Sequence, residues 1–331
     1  MSDFEERLVR QLQNDARASF SELAKQLGTS RATVANHVNG LLDSGQLRIV
    51  AAVHPRVLGL NSLAHVAVTS SGDLEPIIEA MEAMQGPVFI SQTTGKYNLV
   101  AELRMPSMES MYEQIELLRA HPQVSDVNVL VYEKVIRSFF LGAEPQLPGL
   151  EFDETDLRLM NLLQRDGRRS FADLAAEVGL SVSACRTRIL RLIESNVMQI
   201  GAIRRRTQTS QAMAFGLGIT TSGVVAEAVT HLEKLPGVEF IAKCIGRYNL
   251  IATVGVASLG EYNAVIAELR RLPSVTAVET WLHAEIVRER YEQSLDALVA
   301  AIASGPAPGG AGGAGSESPS PRPMAASQSV L

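Results

Sequence analysis

The first fifty residues carry apolar side chains at the three- and four-residue spacing of amphipathic helices. Ser19 stands three residues before Glu22, a pairing typical of a capping box, and Gly28 suits the left-handed position that ends a helix. Ser30 is placed to cap the helix that follows. The pattern predicts two short helices joined by a turn, a helix-turn-helix. Its inward positions are Leu8, Leu12, Leu23, Ala24, Leu27, Val34, Val38 and Leu41.

Beyond residue 60 the apolar residues form shorter runs that alternate with helical patterns. The pattern predicts strands over 63–68, 88–93, 99–103 and 124–131, and helices over 74–84 and 108–119. This β-α-β-β-α-β order is the ferredoxin-like arrangement, whose helices cover one face of the sheet. The strands are apolar on both faces, as in Val66-Ala67-Val68. We therefore expect a second sheet to cover the other face, and a duplicated chain could supply it internally.

The chain is duplicated. A shift of 151 residues aligns it with itself without a gap, and 15 of the 43 positions from Arg7 to Ile49 are identical. The second copy therefore predicts strands over 213–219, 240–244, 250–256 and 275–282, and helices over 224–235 and 259–270. Cys185 takes the place of Val34, so we interpret it as a small buried residue of the second helix-turn-helix, together with Leu159, Leu163, Ile189 and Leu192.

The predicted fold class is α+β, with two winged-helix/helix-turn-helix domains and two ferredoxin-like βαββαβ domains in tandem. The helical domains span 1–50 and 153–201, and the sheet domains span 51–140 and 202–291. A linker rich in Pro and Gly occupies 141–152, and a C-terminal helix is predicted over 292–303. Residues 304–331 are rich in Gly, Pro and Ser and predict a disordered tail.

Charge is divided unevenly along the chain. The net charge is −6, but residues 1–56 hold seven Lys/Arg against six Asp/Glu, and residues 153–206 hold ten against seven. The helical domains are therefore basic and the remainder acidic, which suits nucleic-acid binding by the helical domains. The charged N-terminus, the short apolar runs and the two scattered cysteines favour a cytoplasmic protein with no membrane span. The sequence predicts neither a metal site nor a cofactor.

The outward face of the third helix of each helical domain is the candidate DNA reader. Asn pairs with adenine, Ser, Thr and Ala contact base edges, and Arg contacts phosphate. Arg204, Arg205 and Arg206 are further candidates for phosphate contact. An ordinary solvated helix with surface arginines is the alternative interpretation. The predicted DNA-binding residues are Arg31, Ala32, Thr33, Asn36, His37, Arg168, Arg169, Ser183, Ala184, Arg186, Thr187, Arg188 and Arg191.

A Gly-x-Tyr-Asn-Leu sequence occurs between the second and third predicted strands of each copy. Glycine permits a sharp turn or a close backbone approach to a ligand. The turn amides, the tyrosine hydroxyl and the asparagine amide could hold the charged groups of an amino acid. A hairpin turn that serves folding alone is an equally open interpretation. The candidate effector residues are Gly95, Lys96, Tyr97, Asn98, Gly246, Arg247, Tyr248 and Asn249.

Together these motifs resemble the feast/famine regulators of the Lrp/AsnC family. The resemblance covers nearly all of residues 4–291. It rests on D-x-R-x-S-F-x-x-L-A-x-x-x-G-x-S at 15–30 and 166–181, the Pro-x-x-Leu-Gly junction at 55–59, and the Gly-x-Tyr-Asn-Leu turns. It implies ligand-binding (RAM) sheet domains that dimerise and assemble further, and amino acids or small metabolites as effectors. We therefore expect a regulator that is not an enzyme, with double-stranded DNA and a small-molecule effector as partners, in a homo-oligomer of internally pseudo-dimeric chains.

The chain departs from the family pattern at several positions. Most members have one unit per chain. The family usually has an acidic residue after the aromatic residue of the turn, and this chain has Asn98 and Asn249 there. An arginine that is usual in the recognition helix is present in the second copy as Arg188, whereas the first copy has His37 at that position. The second copy lacks the Pro-x-x-Leu-Gly junction. Two alternatives stay open: an enzyme similar to the siroheme decarboxylases, which resemble this architecture, and a DNA-bridging architectural protein.

Overall fold

The structure is a computed structural model that describes residues 3–138, 145, 151–204, 213–295 and 298–299. Most of the predicted linker 141–152, the predicted tail 304–331, and Arg205 and Arg206 lie outside the described residues. Of the predicted C-terminal helix 292–303, residues 292–295 are not helical, residues 298–299 are helical, and the rest lies outside the described part.

Repeat one (residues 1–140) begins with three helices and continues into a sheet domain. The helices are α1 (Asp3–Asn14), α2 (Phe20–Leu27) and α3 (Arg31–Asp43). The strand β1 (Leu47–Val53) and a 3-10 turn (Pro55–Leu58) connect them to the sheet domain. That domain consists of β2 (Ser62–Ser70), α4 (Glu75–Ala83), β3 (Pro87–Thr93), β4 (Leu99–Met105), α5 (Met108–Arg119) and β5 (Val124–Arg137).

Repeat two (residues 153–291) has the same order of elements. Its helices are α6 (Glu154–Arg165), α7 (Phe171–Val178) and α8 (Val182–Glu194), followed by β6 (Met198–Arg204). Its sheet domain consists of β7 (Met213–Thr221), α9 (Ala226–Lys234), β8 (Val238–Ile245), β9 (Leu250–Val256), α10 (Leu259–Arg270) and β10 (Val275–Glu289). The predicted α+β repeat is confirmed.

Local capping chemistry sets the ends of the helices in both heads, a name we use for the helical domains at 1–50 (head one) and 153–201 (head two). The Ser19 hydroxyl accepts from the Glu22 amide while the Glu22 carboxylate accepts from the Ser19 amide, which completes the predicted capping box. Gly28 and Gly179 end α2 and α7 in the left-handed conformation. Each predicted inward residue of the two heads is buried.

Strands β1 and β6 join the two heads. They pair antiparallel from Leu47–Arg204 to Val53–Met198 as a two-stranded ribbon. Each strand packs under the other repeat's head, because Ala51 and Val53 lie in the core of head two and Ala202 lies in the core of head one. The apolar contacts of the ribbon therefore tie each head to the other half of the chain.

The two sheet domains close into a barrel. Within the described residues its eight strands run in the order β10-β3-β4-β2-β5-β8-β9-β7, with β7 returning to β10 and every pairing antiparallel. The first part of β5 pairs with β2, and its end crosses to pair with β8 of repeat two. Strand β10 does the same, pairing first with β7 and then with β3. The second sheet expected over the bare face is thus supplied by the same chain.

Side chains alternate between the two faces of each barrel strand. In repeat one, Val66 and Val68 pack under α4 and α5, while His65 and Ala67 point to the barrel interior. The apolar cores between each sheet and its helices are separate clusters, one for each repeat. No helix in the described part of the chain is long and apolar enough to cross a membrane.

Candidate DNA-reading heads, effector turns and barrel interior

The third helix of head one presents the predicted reading face to solvent. Ser30 caps α3 by accepting from the Thr33 amide at 3.0 Å, and Val34, Val38 and Leu41 hold the opposite face in the core. His37 is half-buried, with Nδ1 3.4 Å from a Glu5 carboxylate oxygen. Its ring also packs against Phe4, so both contacts of the His37 side chain are with residues of α1. The exposed predicted readers are Arg31, Ala32 and Asn36, with Thr33 half-buried.

Head two exposes the same face of α8, but two arginines of α8 bind acidic residues at the start of α6. Asp156 is 1% exposed and accepts from Arg188 at 3.0 Å and from Arg191 at 2.5 Å. Arg188 also donates to Asp153 at 2.6 Å, and these hydrogen bonds raise the pKa of its guanidinium. Phosphate contact by either arginine would have to compete with this acid pair. Ser183, Ala184, Arg186 and Thr187 are exposed.

Two equivalent arginines join the heads. Arg17 donates to the carbonyl oxygens of Gly167 at 2.6 Å and Arg169 at 3.1 Å, and Arg168 donates to those of Ala16 at 2.9 Å and Ala18 at 3.0 Å. Each guanidinium also lies over a phenylalanine ring of the other head: Arg17 over Phe171 at 4.6 Å, Arg168 over Phe20 at 4.9 Å. Burial lowers the pKa of both arginines. We call this reciprocal contact the arginine clasp.

The arginine clasp changes the interpretation of two predicted phosphate ligands. Both terminal nitrogens of Arg168 are hydrogen-bonded to head one, so its geometry favours joining the heads over contacting DNA. Arg169 forms an ion pair with Glu177 on α7. Sequence reasoning assigned Arg168 to phosphate contact. The signal it missed was that Arg17, the same residue one repeat earlier, is identical.

The two Gly-x-Tyr-Asn-Leu turns begin with positive φ at Gly95 and Gly246. In both turns the asparagine has a structural task. The Asn98 side-chain oxygen accepts from the Ser70 amide at 2.8 Å, and that of Asn249 accepts from the Thr221 amide at 2.8 Å. The asparagine side chains thus stabilise the fold of both turns. An effector could bind these two oxygens only in competition with the hydrogen bonds from Ser70 and Thr221.

The turns meet at the seam between the two sheet domains. Arg247 donates to the Tyr97 hydroxyl at 2.8 Å and pairs with Glu279 at 2.5 Å, while Tyr248 donates to Glu279 at 2.8 Å. Lys96 is exposed, with its ammonium 5.1 Å from the centre of the Tyr97 ring. The hydrogen bonds to Glu279 raise the pKa of Arg247, and burial raises that of Tyr248. Four of the eight predicted effector residues therefore form one connected cluster with Glu279, namely Lys96, Tyr97, Arg247 and Tyr248.

The barrel interior contains polar groups that sequence reasoning did not single out. A cavity of about 70 Å³ lies between the two sheets. His65, which lines it, is 8% exposed, and burial lowers its pKa to about 4, so the imidazole is neutral at pH 7. Arg104 is 1% exposed and donates twice to one oxygen of Glu102, at 3.1 and 3.0 Å. The pairing of the two sheets could have predicted which residues face inward, since they alternate with the helix-facing ones.

Known protein families match both repeats. The AsnC-type helix-turn-helix domain matches residues 1–41 and 152–193, and the Lrp/AsnC ligand binding domain matches residues 63–138 and 217–293. The chain belongs to the Lrp/AsnC family. Its members combine a DNA-binding helix-turn-helix with a ligand-binding domain, so the expected family and the regulator function are confirmed. The helix-turn-helix matches overlap the two heads, and the ligand-binding matches overlap the strands and helices of the barrel.

Individual relatives match one unit at a time. The HTH-type transcriptional regulator FL11 of Pyrococcus horikoshii is 24% identical over 136 residues, 40% of this chain and 90% of that protein. The proline dehydrogenase transcriptional activator of Rhizobium radiobacter is 28% identical over 145 residues, 42% of this chain and 93% of that protein. The chain is thus similar to regulators that correspond to one of its two repeats.

A solved structure matches both repeats together. The crystal structure of the siroheme decarboxylase NirDL aligns with a TM-score of 0.58 at 18% identity, covering 90% of this chain and 99% of that chain. At this identity the similarity concerns the fold. It shows that a tandem arrangement of two such units in one chain has a solved counterpart.

Proposed function

We propose that this chain is a sequence-specific regulator that reads double-stranded DNA with α3 and α8 and responds to an amino acid or related small metabolite. The observation that carries the proposal is the exposure of the same helix face on two heads joined by the arginine clasp. Asn36 and Thr187, at equivalent positions, are both exposed. Since one chain carries both heads, it presents two unlike readers, and we expect an operator with two unlike half-sites.

The half-site spacing follows from the joined heads. The arginine clasp and the β1–β6 ribbon restrict the movement of one head relative to the other. Two helix-turn-helix readers on one face of a duplex contact half-sites about one helical turn apart, roughly 34–36 Å, or a multiple of it. We expect this chain to tolerate little change in that spacing.

The experiment compares equivalent variants of the two readers on a footprinted operator. Asn36→Ala should weaken binding about tenfold through one half-site, because an asparagine–adenine pair contributes about 1–3 kcal/mol of discrimination. Thr187→Ala should affect the other half-site by less. Asn263→Ala, an exposed position on α10 of the barrel, is the matched control. Unchanged affinity and footprint in both head variants would refute DNA reading by this face.

The proposed effector site is the connected cluster of the two turns. An amino acid carboxylate could be held by Arg247 or Lys96, and an ammonium by Glu279. Tyr97→Phe and Tyr248→Phe remove only the hydroxyls that bridge the cluster, and each should reduce an effector-dependent change in DNA affinity across a panel of amino acids. Tyr112→Phe, on an exposed tyrosine of α5, is the control. An identical effector response in all three variants would remove the turns from the site.

We further propose that the chain is not an enzyme of the siroheme decarboxylase kind. The cavity between the sheets measures about 70 Å³. Pockets that hold drug-sized ligands measure roughly 300–1,000 Å³, and a tetrapyrrole is larger than most such ligands. Incubation with siroheme should therefore leave the substrate unchanged in a chromatographic assay, and a decarboxylated product would overturn this part of the proposal.

Assembly of several chains into a larger oligomer is part of the proposal. Met108 and Leu259 occupy the same position of the repeat, at the first residue of α5 and α10, and are 51% and 59% exposed. Exposed apolar side chains repeated on outer helices favour contact with other copies. Light scattering on Met108→Glu/Leu259→Glu should show a smaller particle than the wild type, and an unchanged mass would exclude these helices from the interface.

A further inference from the structure

The turn of repeat two already binds a carboxylate, that of Glu279. The Tyr248 ring packs over Gly218, where a Cβ would approach it to 2.4 Å, and Gly218 pairs with Glu279 on the neighbouring strand. Tyr248 therefore lies beside Glu279 and donates to its carboxylate at 2.8 Å. The Arg247 guanidinium lies 5.3 Å from the centre of the Tyr248 ring and donates to both oxygens of Glu279 at 2.5 Å. A cation and a phenol thus bind the carboxylate together.

Repeat one builds the same framework around an amide. Tyr97 clusters with Ala67, and Ala67 pairs with Asn128 on the neighbouring strand. Asn128 is the equivalent of Glu279 one repeat earlier, so it lies beside Tyr97 as Glu279 lies beside the tyrosine of repeat two. The Lys96 ammonium is 5.1 Å from the centre of the Tyr97 ring, which matches the place of the cation in repeat two. The cation and the phenol are therefore retained, whereas the acid is not.

Three hydrogen-bond donors of the repeat-one half have no acceptor in the part of the chain that the structure describes. The Lys96 ammonium and the Asn128 side-chain amide form no hydrogen bond or ion pair there. The Tyr97 oxygen accepts from Arg247 at 2.8 Å, so its own hydrogen is left to donate, and no described residue accepts it. Lys96 and Tyr97 match the two groups that bind the carboxylate in repeat two. These donors favour a ligand with carboxylate oxygens.

An acid lies next to these donors on the same strand. Asp126 precedes Asn128 by two residues in an unbroken register, so both side chains point to the same face of β5. Asp126 is exposed and forms no ion pair with any residue that the structure describes, and its equivalent in repeat two is Ala277. Glu279, by contrast, is already bound by its own arginine and tyrosine. Repeat one therefore places carboxylate donors beside an acid that can accept from an ammonium.

We propose that the repeat-one half of the cluster binds one α-amino acid per chain, with the ligand carboxylate in the place that Glu279 occupies in repeat two. Lys96, Tyr97 and Asn128 donate to that carboxylate. Asp126 accepts from the ligand ammonium. Because Glu279 fills the equivalent place in repeat two, that half takes no ligand, and each chain binds one molecule and not two. This inference rests on the proposed effector response and assigns it to one half of the cluster.

Glycine is the probe, because it carries both charged groups and no side chain. Equilibrium dialysis of the full-length protein against radiolabelled glycine counts the molecules bound per chain, and we expect one. Sodium acetate has no ammonium and ethanolamine hydrochloride has no carboxylate. Each should compete with glycine about tenfold more weakly than unlabelled glycine does, because each loses one set of charge-assisted hydrogen bonds. Sodium chloride at the same concentration is the salt control.

Moving the acid between the repeats tests the location. Asn128→Glu places a carboxylate in the repeat-one half and should abolish glycine binding. Glu279→Gln releases the guanidinium and the phenol of the other half and should admit a second, more weakly bound glycine. Asp126→Asn should lower the preference for glycine over acetate about tenfold. Glu109→Gln, at an exposed position on α5, is the matched control and should bind as the wild type does. Circular dichroism and thermal unfolding check the fold of each variant.

The outcomes separate this inference from the proposed function. Two glycine molecules per wild-type chain, none at all, or wild-type binding by Asn128→Glu would overturn the one-sided site. A single bound glycine in Glu279→Gln would overturn the blocking role of Glu279, and equal competition by glycine, acetate and ethanolamine would overturn the amino acid as ligand. Gel shifts on the operator are measured separately with and without glycine. Glycine binding that leaves DNA affinity unchanged would count against the effector response and leave the site itself standing.

Discussion

Two regions of the molecule differ in how far they keep the symmetry of the sequence repeat. The contact between the two heads is symmetric, and the interior of the barrel is not. At the heads, Arg17 and Arg168 are the same residue making the same contacts in both directions. In the barrel interior, equivalent positions carry different residues: Glu102 corresponds to Thr253, and His65 corresponds to Gly216. The comparison shows that symmetry is retained where two parts must be held as a matched pair, and is lost where both repeats enclose one shared space.

The physical reason lies in what each contact has to do. Two reading helices on one duplex need a fixed mutual orientation, and a reciprocal contact provides that with one pair of residues. A closed interior needs only to be filled and to satisfy its polar groups. In repeat two, Trp281 therefore packs over Gly216 of the neighbouring strand, whereas repeat one has Leu130 and His65 at the equivalent positions.

The largest effect should come from breaking the buried ion pair of the barrel. Glu102→Ala leaves Arg104, whose side chain is 0% exposed, without its counter-charge, and should lower the free energy of unfolding by about 3–5 kcal/mol. The equivalent change in repeat two, Thr253→Ala, should cost about 1 kcal/mol. Urea denaturation measures both. Glu102→Thr/Arg104→Leu removes the pair together and should recover part of the loss. Equal costs for the two single variants would contradict the asymmetry.

Acid should destabilise the barrel through His65. Its pKa falls from 6.5 to about 4 because the folded interior disfavours the charged form. Below pH 6.5 the unfolded chain takes up a proton that the folded chain does not, so stability decreases as the pH falls towards 4. The shift corresponds to roughly 3 kcal/mol. Gly216, the equivalent position, has no titrating side chain.

The measurement is urea denaturation between pH 7 and pH 4. His65→Gln should reduce the slope of unfolding free energy against pH by up to one proton. If that slope is unchanged in His65→Gln, the buried neutral imidazole is excluded as the source of the acid sensitivity.

The arginine clasp should respond equally from both sides. Arg17→Ala and Arg168→Ala each remove two charge-assisted hydrogen bonds to carbonyl oxygens and one ring contact, and each should cost about 2 kcal/mol. Both should also relax the spacing between half-sites that DNA binding tolerates. Arg165→Ala, at an exposed position on α6, is the control. If the two clasp variants lower the free energy of unfolding by widely different amounts, the contact between the heads is not symmetric and its contrast with the barrel interior fails.

The smallest effect should separate the two heads at their capping residues. Ser19→Ala breaks a complete capping box and should cost about 1 kcal/mol. Ser170 accepts from the Asp173 amide at 3.1 Å and donates to the Asp173 carboxylate at 2.6 Å, with no reciprocal bond to its own amide. Ser170→Ala should therefore cost a few tenths of a kcal/mol less. Thermal unfolding compares the two, and a larger cost at Ser170 would contradict the reasoning.

Much of the fold could be predicted because local signals agreed with the global arrangement. Periodicity, caps and the repeat predicted the heads, and the strand β9 and the helices α5 and α10 have the predicted bounds. The extensions of β5 and β10 were not predicted. Residues 132–137 and 283–289 find their pairing partners in the other repeat, and no local pattern reports a partner so distant in sequence.

Less of the candidate site could be predicted. Helical geometry was sufficient to place Asn36 and Thr187 on exposed faces. It could not show that Arg188 and Arg191 are held by Asp156, because that contact depends on how α6 packs on α8. Nor could it show that Arg168 contacts the carbonyl oxygens of head one. A positive side chain indicates phosphate contact only when no acceptor of the protein lies nearer.

The crossed ends of β5 and β10 bear on which chains can pair with this protein. A strand edge that is left unpaired can pair with a strand of another chain. Here each crossing strand already has a neighbour from its own polypeptide. Because both proposed readers belong to one polypeptide, their ratio is one to one at any protein concentration and whichever relatives are expressed beside it.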